Sequence, residues 1–152
     1  RPEKIMIPFF IKYGIKILSY GTVLGGFFSE KYLNADEPTR VELTTASLQK
    51  YKNMIDIWGG WQLFQELLQV LNTIAKKHNC SIANIATRFI LDKPQVAGVI
   101  IGARLGISDH IEDNSKVFNL KLDQDDISLI STITSKSNDL FDTIGDCGDE
   151  YR

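Results

Sequence analysis

Apolar positions along the chain recur at intervals that predict several helices. The clearest case covers residues 62–78, where Leu63, Leu67 and Leu71 lie on one apolar stripe and two lysines favour the C-terminal end. Further helices are predicted from Pro2 to a stop at Gly14, over residues 46–57, from a Ser81 cap to Pro94, from Ser108 or Asp109 to Val117, and from an Asp123 cap onward.

Two short apolar runs predict strands between these helices. Residues 15–20 are rich in β-branched and aromatic side chains, and residues 96–101 are apolar along their whole length. The second run predicts a strand that is buried on both faces, as in a parallel sheet. Because two strands cannot build an independent parallel sheet with its own core, we expect the chain to be part of a larger α/β fold, with the other strands before Arg1.

Composition and net charge limit the classes of protein to which the chain can belong. The 152 residues are 43% hydrophobic with a net charge of −2, which favours one globular domain and no nucleic-acid or membrane partner, since such partners reward clustered Lys and Arg. Cys80 and Cys147 form no CxxC pair, so we expect free thiols in a reducing, cytoplasmic compartment and no zinc site. Residues 1–136 are predicted to form the folded unit, and residues 137–152, rich in Asp, Gly and Ser, a C-terminal tail.

Glycines follow the first predicted strand. Gly21, Gly25 and Gly26 come after Tyr20, at the strand end where α/β sheets bind ligands, and glycines allow backbone N–H groups to approach a phosphate. The spacing is neither GxGxxG nor a P-loop, so phosphate binding and an ordinary flexible turn both stay open. Tyr20 is either a core aromatic or a ring on which a flat ligand stacks.

A cation follows the second predicted strand. Arg104 and the next helix N-terminus together suit a phosphate monoester, whereas the more common alternative is a surface pair with Glu112 or Asp113. His78, at a helix C-terminus, is assigned a structural role, and His110 either donates to a ligand or is solvated. Neither histidine belongs to a set with metal-ligand spacing, so no metal site is predicted.

Several segments resemble the aldo-keto reductase family. Residues 17–32, with the sequence ILSYGTVLGGFFSEKY, are similar to the segment that follows the seventh barrel strand of that family. Residues 84–94, 99–104 and 110–114 resemble its closing stretch, in the same order. The resemblance implies a (β/α)8 TIM barrel, of which this chain would hold the C-terminal portion, because a complete barrel takes roughly 250 residues.

The same resemblance implies an NADP-dependent reduction of an aldehyde or ketone, or oxidation of an alcohol. Tyr20 would stack on the nicotinamide, and Arg104 would contact the 2′-phosphate. The adenosine end would meet His110, Asp113 and Asn114. The pyrophosphate loop would comprise Gly21, Val23, Leu24, Gly26 and Lys31, with Arg40 as a candidate clamp over the cofactor.

The chain also departs from the family pattern. Gly21 and Thr22 stand where the family has Ser-Pro, and two residues are inserted between Arg104 and His110. The family's catalytic Asp, Tyr, Lys and His would all precede Arg1, so no catalytic residue is assigned here. Two alternatives stay open, a non-catalytic NADPH-binding member that acts as a partner protein and an inactive truncated product. The substrate, beyond a small carbonyl or alcohol, and the oligomeric state are not assigned.

Overall fold

A computed structural model describes residues 3, 6–103, 106 and 109–145 of the chain. Within these ranges the fold is mixed α/β and mostly helical, with one two-stranded parallel sheet. In chain order the elements are α1 (Ile7–Tyr13), β1 (Ile17–Tyr20), 3-10 turns at Leu24–Gly26 and Glu30–Tyr32, α2 (Ala46–Trp58), α3 (Gly60–His78), α4 (Ile82–Leu91), β2 (Val96–Ile100), α5 (Ile111–Ser115), a 3-10 turn at Lys116–Phe118, α6 (Gln124–Thr134) and α7 (Leu140–Ile144).

Local signals mark three helix boundaries at the residues that the sequence predicts. Gly14 closes α1 with a left-handed φ of 65°, a conformation that glycine adopts at low cost. The Ser81 side chain accepts a hydrogen bond from the N–H of Asn84 at the start of α4, and Asp123 forms a capping box with Asp126 on α6. The start predicted at Pro2 lies outside the described residues.

The two strands define the edge at which a site can form. β1 and β2 run in parallel, with Ile17 paired to Val96 and Tyr20 paired to Ile100. Because the strands are parallel, their carboxyl ends meet at one edge of the sheet. The glycine turn after Tyr20 therefore begins beside the segment that follows Ile100.

One face of this sheet is left uncovered by the described residues. Leu18, Tyr20 and Ile100 are 64%, 69% and 56% exposed. The prediction that the second strand is buried on both faces is wrong for the described part of the chain, since Ala97 and Ile100 are exposed. The physical reason is that helix α4 packs on β2, while the described residues place nothing over the face that carries Ile100.

The hydrophobic core lies among the helices and the long segment after β1. Helix α3 packs against α2, α4 and α6, and its apolar stripe includes Phe64, Leu68 and Ile74, each at most 1% exposed. The segment after β1 contributes Phe27, which is fully buried. The long connection that the sequence leaves without a regular element thus takes part in the core.

A short helix lies in the segment that the sequence analysis describes as a tail. Helix α7 is capped by the Asp139 side chain. Asn138 joins it to the end of α2, where its backbone N–H donates to the carbonyl of Trp58 and its Nδ2 donates to the carbonyl of Ile57, both at 2.8 Å. The division between residues 1–136 and 137–152 stays a prediction. None of the helices in the described ranges combines the length and apolar character needed to cross a membrane.

Candidate functional site

The turn after β1 has an unusual run of left-handed residues. Gly21, Leu24, Gly25 and Gly26 have φ values of 74°, 52°, 65° and 102°. The N–H of Leu24 donates to the carbonyl of Gly21, and the N–H of Gly26 to that of Val23, both at 2.9 Å. Among the described residues, the N–H groups of Val23 and Gly25 donate to no acceptor. Backbone N–H groups in such turns form concavities that attract anions.

Close packing on α2 explains two of these glycines. A β-carbon at Gly25 would come within 2.6 Å of the Tyr51 ring, and one at Gly21 within 2.6 Å of the Tyr51 hydroxyl oxygen. A side chain at either position would therefore clash with Tyr51 as well as strain the backbone. At Gly26 the corresponding direction is open space. The turn is closed behind by α2 and open at Gly26.

Buried hydrogen bonds attach the rest of the loop to α3. The Gln65 side chain, only 7% exposed, donates from Nε2 to the carbonyl of Tyr32 and accepts at Oε1 from the N–H of Asn34, both at 2.8 Å. The Trp61 Nε1–H donates to the carbonyl of Ala35 at 3.1 Å. The sequence signal for this attachment is a glutamine on the apolar stripe of α3, and the sequence analysis missed it.

An ion cluster holds the segment that carries Arg40. Lys52 Nζ lies 2.7 Å from Glu37 Oε1 and 2.5 Å from Asp56 Oδ1. Burial alone would lower the pKa of Lys52, but the hydrogen bonds to Asp56 and Glu37 outweigh it and raise that pKa. Arg40 and Lys31 are both exposed. The structure therefore places these two predicted cofactor cations at the surface of the loop.

Beyond β2, the predicted adenosine contacts fall at the start of α5. The Asp113 carboxylate accepts hydrogen bonds from Ser81 Oγ at 2.7 Å, Asn84 Nδ2 at 3.0 Å and Lys116 Nζ at 3.0 Å. Burial alone would raise the pKa of Asp113, but these hydrogen bonds lower it overall. Asp113 thus fastens α4 to α5, a structural connection that the sequence analysis did not foresee.

The other residues of this segment are accessible or outside the described ranges. His110 is exposed, and its carbonyl accepts the N–H of Asn114 at 2.7 Å. Arg104 and Ser108 lie outside the described residues. Cys80 is a free thiol whose pKa is raised, mainly by burial, and Cys147 lies outside the described residues. No group of three or more His, Cys, Asp or Glu side chains within the described ranges is placed to hold a metal ion.

The described residues fit part of a nicotinamide dinucleotide. Its flat ring needs an accessible surface, and the Tyr20 side chain is 69% exposed at the carboxyl end of β1. Its pyrophosphate needs donors, and the N–H groups of Val23 and Gly25 are unused beside the open side of Gly26. The predicted contact for a 2′-phosphate falls on Arg104, outside the described residues.

Comparison with known proteins gives two findings. The model of the aldo/keto reductase family matches residues 1–135 of this chain. Flagellar radial spoke protein 5 of Chlamydomonas reinhardtii is 37% identical over 83 residues, which is 53% of this chain and 16% of that protein. The chain therefore matches only a small part of this curated relative.

Proposed function

Because the chain belongs to the aldo/keto reductase family, we propose that it binds and orients NADPH within a reductase of small aldehydes and ketones. Membership of the family supports an oxidoreductase-type function, and members generally use NADP(H). The observation that carries the proposal is the exposed Tyr20 ring, which lies at the carboxyl edge of the sheet directly before a turn with unused N–H groups.

Each part of this edge has a distinct task in the proposal. The chemistry that the cofactor supplies when bound is hydride transfer to a carbonyl carbon. Tyr20 orients the nicotinamide face, the N–H groups of Val23 and Gly25 bind the pyrophosphate, and Arg104 binds the 2′-phosphate. No residue of this chain is assigned the proton transfer to the carbonyl oxygen.

The uncovered sheet face suggests the wider architecture. We propose that β1 and β2 are strands seven and eight of a (β/α)8 barrel, with Leu18, Tyr20 and Ile100 facing its interior. This arrangement would bury the apolar face that the described residues leave exposed. A cytoplasmic location is part of the same proposal, since Cys80 is a free thiol.

Replacing Tyr20 with alanine is expected to weaken NADPH binding by roughly 1–2 kcal/mol, because the stacking surface is lost. In the 152-residue chain measured alone, the free energy of unfolding should change little, since the ring is mostly exposed there. NADPH fluorescence titration and denaturant unfolding measure the two quantities. Leu18→Ala, an exposed apolar change on the same face, is the control and should leave NADPH binding unaltered. A large loss of stability with unchanged NADPH affinity would contradict the proposal.

Replacing Arg104 with alanine is expected to weaken NADPH binding about ten- to a hundredfold and to leave NADH binding almost unchanged. The reason is that only NADPH carries the 2′-phosphate that the guanidinium would contact. Lys136→Ala removes a surface charge elsewhere, where Lys136 pairs with Glu66, and should affect neither cofactor. Equal loss for both cofactors, or none, would remove Arg104 from the proposed site.

A second candidate function is a non-catalytic role in a larger assembly. The observation in its favour is the 37% identity to a flagellar radial spoke protein over 83 residues. Any coding sequence that precedes Arg1 would distinguish the two. The family's catalytic Asp, Tyr, Lys and His, together with NADPH-dependent carbonyl reduction, would support the reductase. NADPH binding without that set would support the partner protein.

A further inference from the structure

A large, half-open cavity lies between the glycine turn and the helices, and it reaches the end of β1 at Tyr20. Its volume is about 430 Å³, and it is bounded by the end of β1 and by residues of α2, α3, α4, α6 and α7. Phe64, Leu67, Ala86 and Ile130 are among the side chains of its wall. Small-molecule sites usually have volumes of roughly 300–1,000 Å³ and mainly apolar walls, so this cavity has the size and character of one.

The residues that line the cavity disfavour a charged ligand. No carboxylate, amine, guanidinium or imidazole group belongs to the described residues that line the cavity. An ionised group that entered would lose its hydration without gaining a counter-charge. A dinucleotide with its phosphates therefore does not suit this cavity, although Tyr20, Gly21 and Leu24 contribute both to its wall and to the proposed cofactor site.

One buried hydroxyl in this wall has no hydrogen-bond partner among the described residues. Thr22 is 7% exposed and lines the cavity, and its Oγ1 makes no hydrogen bond within the described chain. Thr134, another hydroxyl of the wall, donates to the carbonyl of Ser131. Buried polar groups in proteins are nearly always hydrogen-bonded, and a threonine hydroxyl can both donate and accept. The unused hydroxyl thus matches a ligand that carries one polar group.

We propose that this cavity binds a neutral, mainly apolar small molecule whose single hydroxyl or carbonyl group hydrogen-bonds to Thr22. The apolar wall supplies most of the affinity, and the threonine hydroxyl sets the orientation. The inference does not depend on the proposed cofactor role, because none of the charged cofactor contacts takes part in it.

The test uses benzyl alcohol and toluene, which differ by one hydroxyl group. Trp58 lines the cavity, and Trp61→Phe leaves it as the only tryptophan, so its emission reports binding. Ligand-observed NMR on the unmodified chain measures the same affinities independently. Both probes are expected to bind saturably. Thr22→Val should weaken benzyl alcohol about three- to tenfold and leave toluene within about twofold, as loss of one hydrogen bond predicts.

A variant that fills the cavity and a control variant outside it show whether the probes bind in the cavity. Ala86→Leu should weaken the binding of both probes by at least tenfold, because the larger side chain occupies the cavity. Ala86→Val is the milder variant for the case that Ala86→Leu impairs folding, and it should weaken both probes by a smaller factor. Ile100→Ser lies on the uncovered sheet face and should change neither affinity. Absence of saturable binding would overturn the proposal. Loss of binding in Ile100→Ser with unchanged binding in the Ala86 variants would overturn it as well, since the probes would then lie on the exposed face.

Discussion

Replacing Asp126 with alanine is expected to lower the free energy of unfolding by about 3 kcal/mol, near the lower end for breaking a buried ion pair. The Asp126 side chain is 1% exposed and contacts two polar side chains, with Lys77 Nζ at 2.8 Å and the ring nitrogen Nε2 of His78 at 2.7 Å. It also accepts the N–H of Asp123 at 3.1 Å in the capping box of α6. Lys77 is half-exposed and can regain water after the change, so the lower value applies.

The Asp126 carboxylate also makes the free energy of unfolding depend on pH. Burial alone would raise the pKa of Asp126, but the hydrogen bonds from Lys77 and His78 lower it overall. Hydrogen bonding to Lys77 lowers the pKa of Asp123 to about 2. A carboxyl with a lowered folded-state pKa stabilises the fold above its unfolded pKa of roughly 3.9, and this contribution disappears as the pH falls through the folded value. Stability should therefore fall between about pH 4 and pH 2.

Denaturant unfolding at several pH values tests both the loss of stability in Asp126→Ala and the loss of stability in acid. Asp126→Ala should lose less stability than the original chain on acidification, because one of the titrating groups is gone. Asp125→Ala, in the same helical turn but exposed, is the control and should unfold close to the original chain. An Asp126→Ala variant as stable as this control would show that the buried contacts contribute little.

Replacing Phe27 with alanine is expected to lower the free energy of unfolding by about 3–5 kcal/mol, as truncation of a core aromatic does. Phe27 is fully buried, and its ring centre lies 4.6 Å from that of Tyr32, 6.2 Å from Trp61 and 6.1 Å from Phe64. The change would remove the contact that joins the glycine turn to α3. Denaturant unfolding measures the loss.

Phe118→Ala provides the matched control for this change. Phe118 is 78% exposed, so the same truncation should alter stability by no more than about 0.5 kcal/mol. Similar losses for the two variants would mean that the aromatic cluster around Phe27 does not form in solution. A loss confined to Phe27 would confirm that the loop after β1 is part of the core.

The candidate site was partly accessible from sequence. The glycines after Tyr20 and their place at a strand end follow from neighbouring residues, and the structure brings that end beside Ile100. The contact of Tyr51 with Gly21 and Gly25 could not be predicted, because it depends on how α2 returns across the turn. The hydrogen bonds of Gln65 could not be predicted either, since its two partners lie more than thirty positions earlier in the chain.

The sequence by itself determined most of the helices, several of their boundaries and the approximate positions of both strands, but not α7, which lies in the predicted tail. Capping and periodicity involve residues within about four positions, as at Gly14, Ser81 and Asp123, so the local sequence carries the information. Only the tertiary structure decided which polar side chains are buried and which strand face is left open. Gln65 and Asp126 are buried because distant segments supply their partners, and Ile100 is exposed because the described chain covers one face of the sheet. Burial depends on the packing of distant elements, which the pattern along a single segment does not contain.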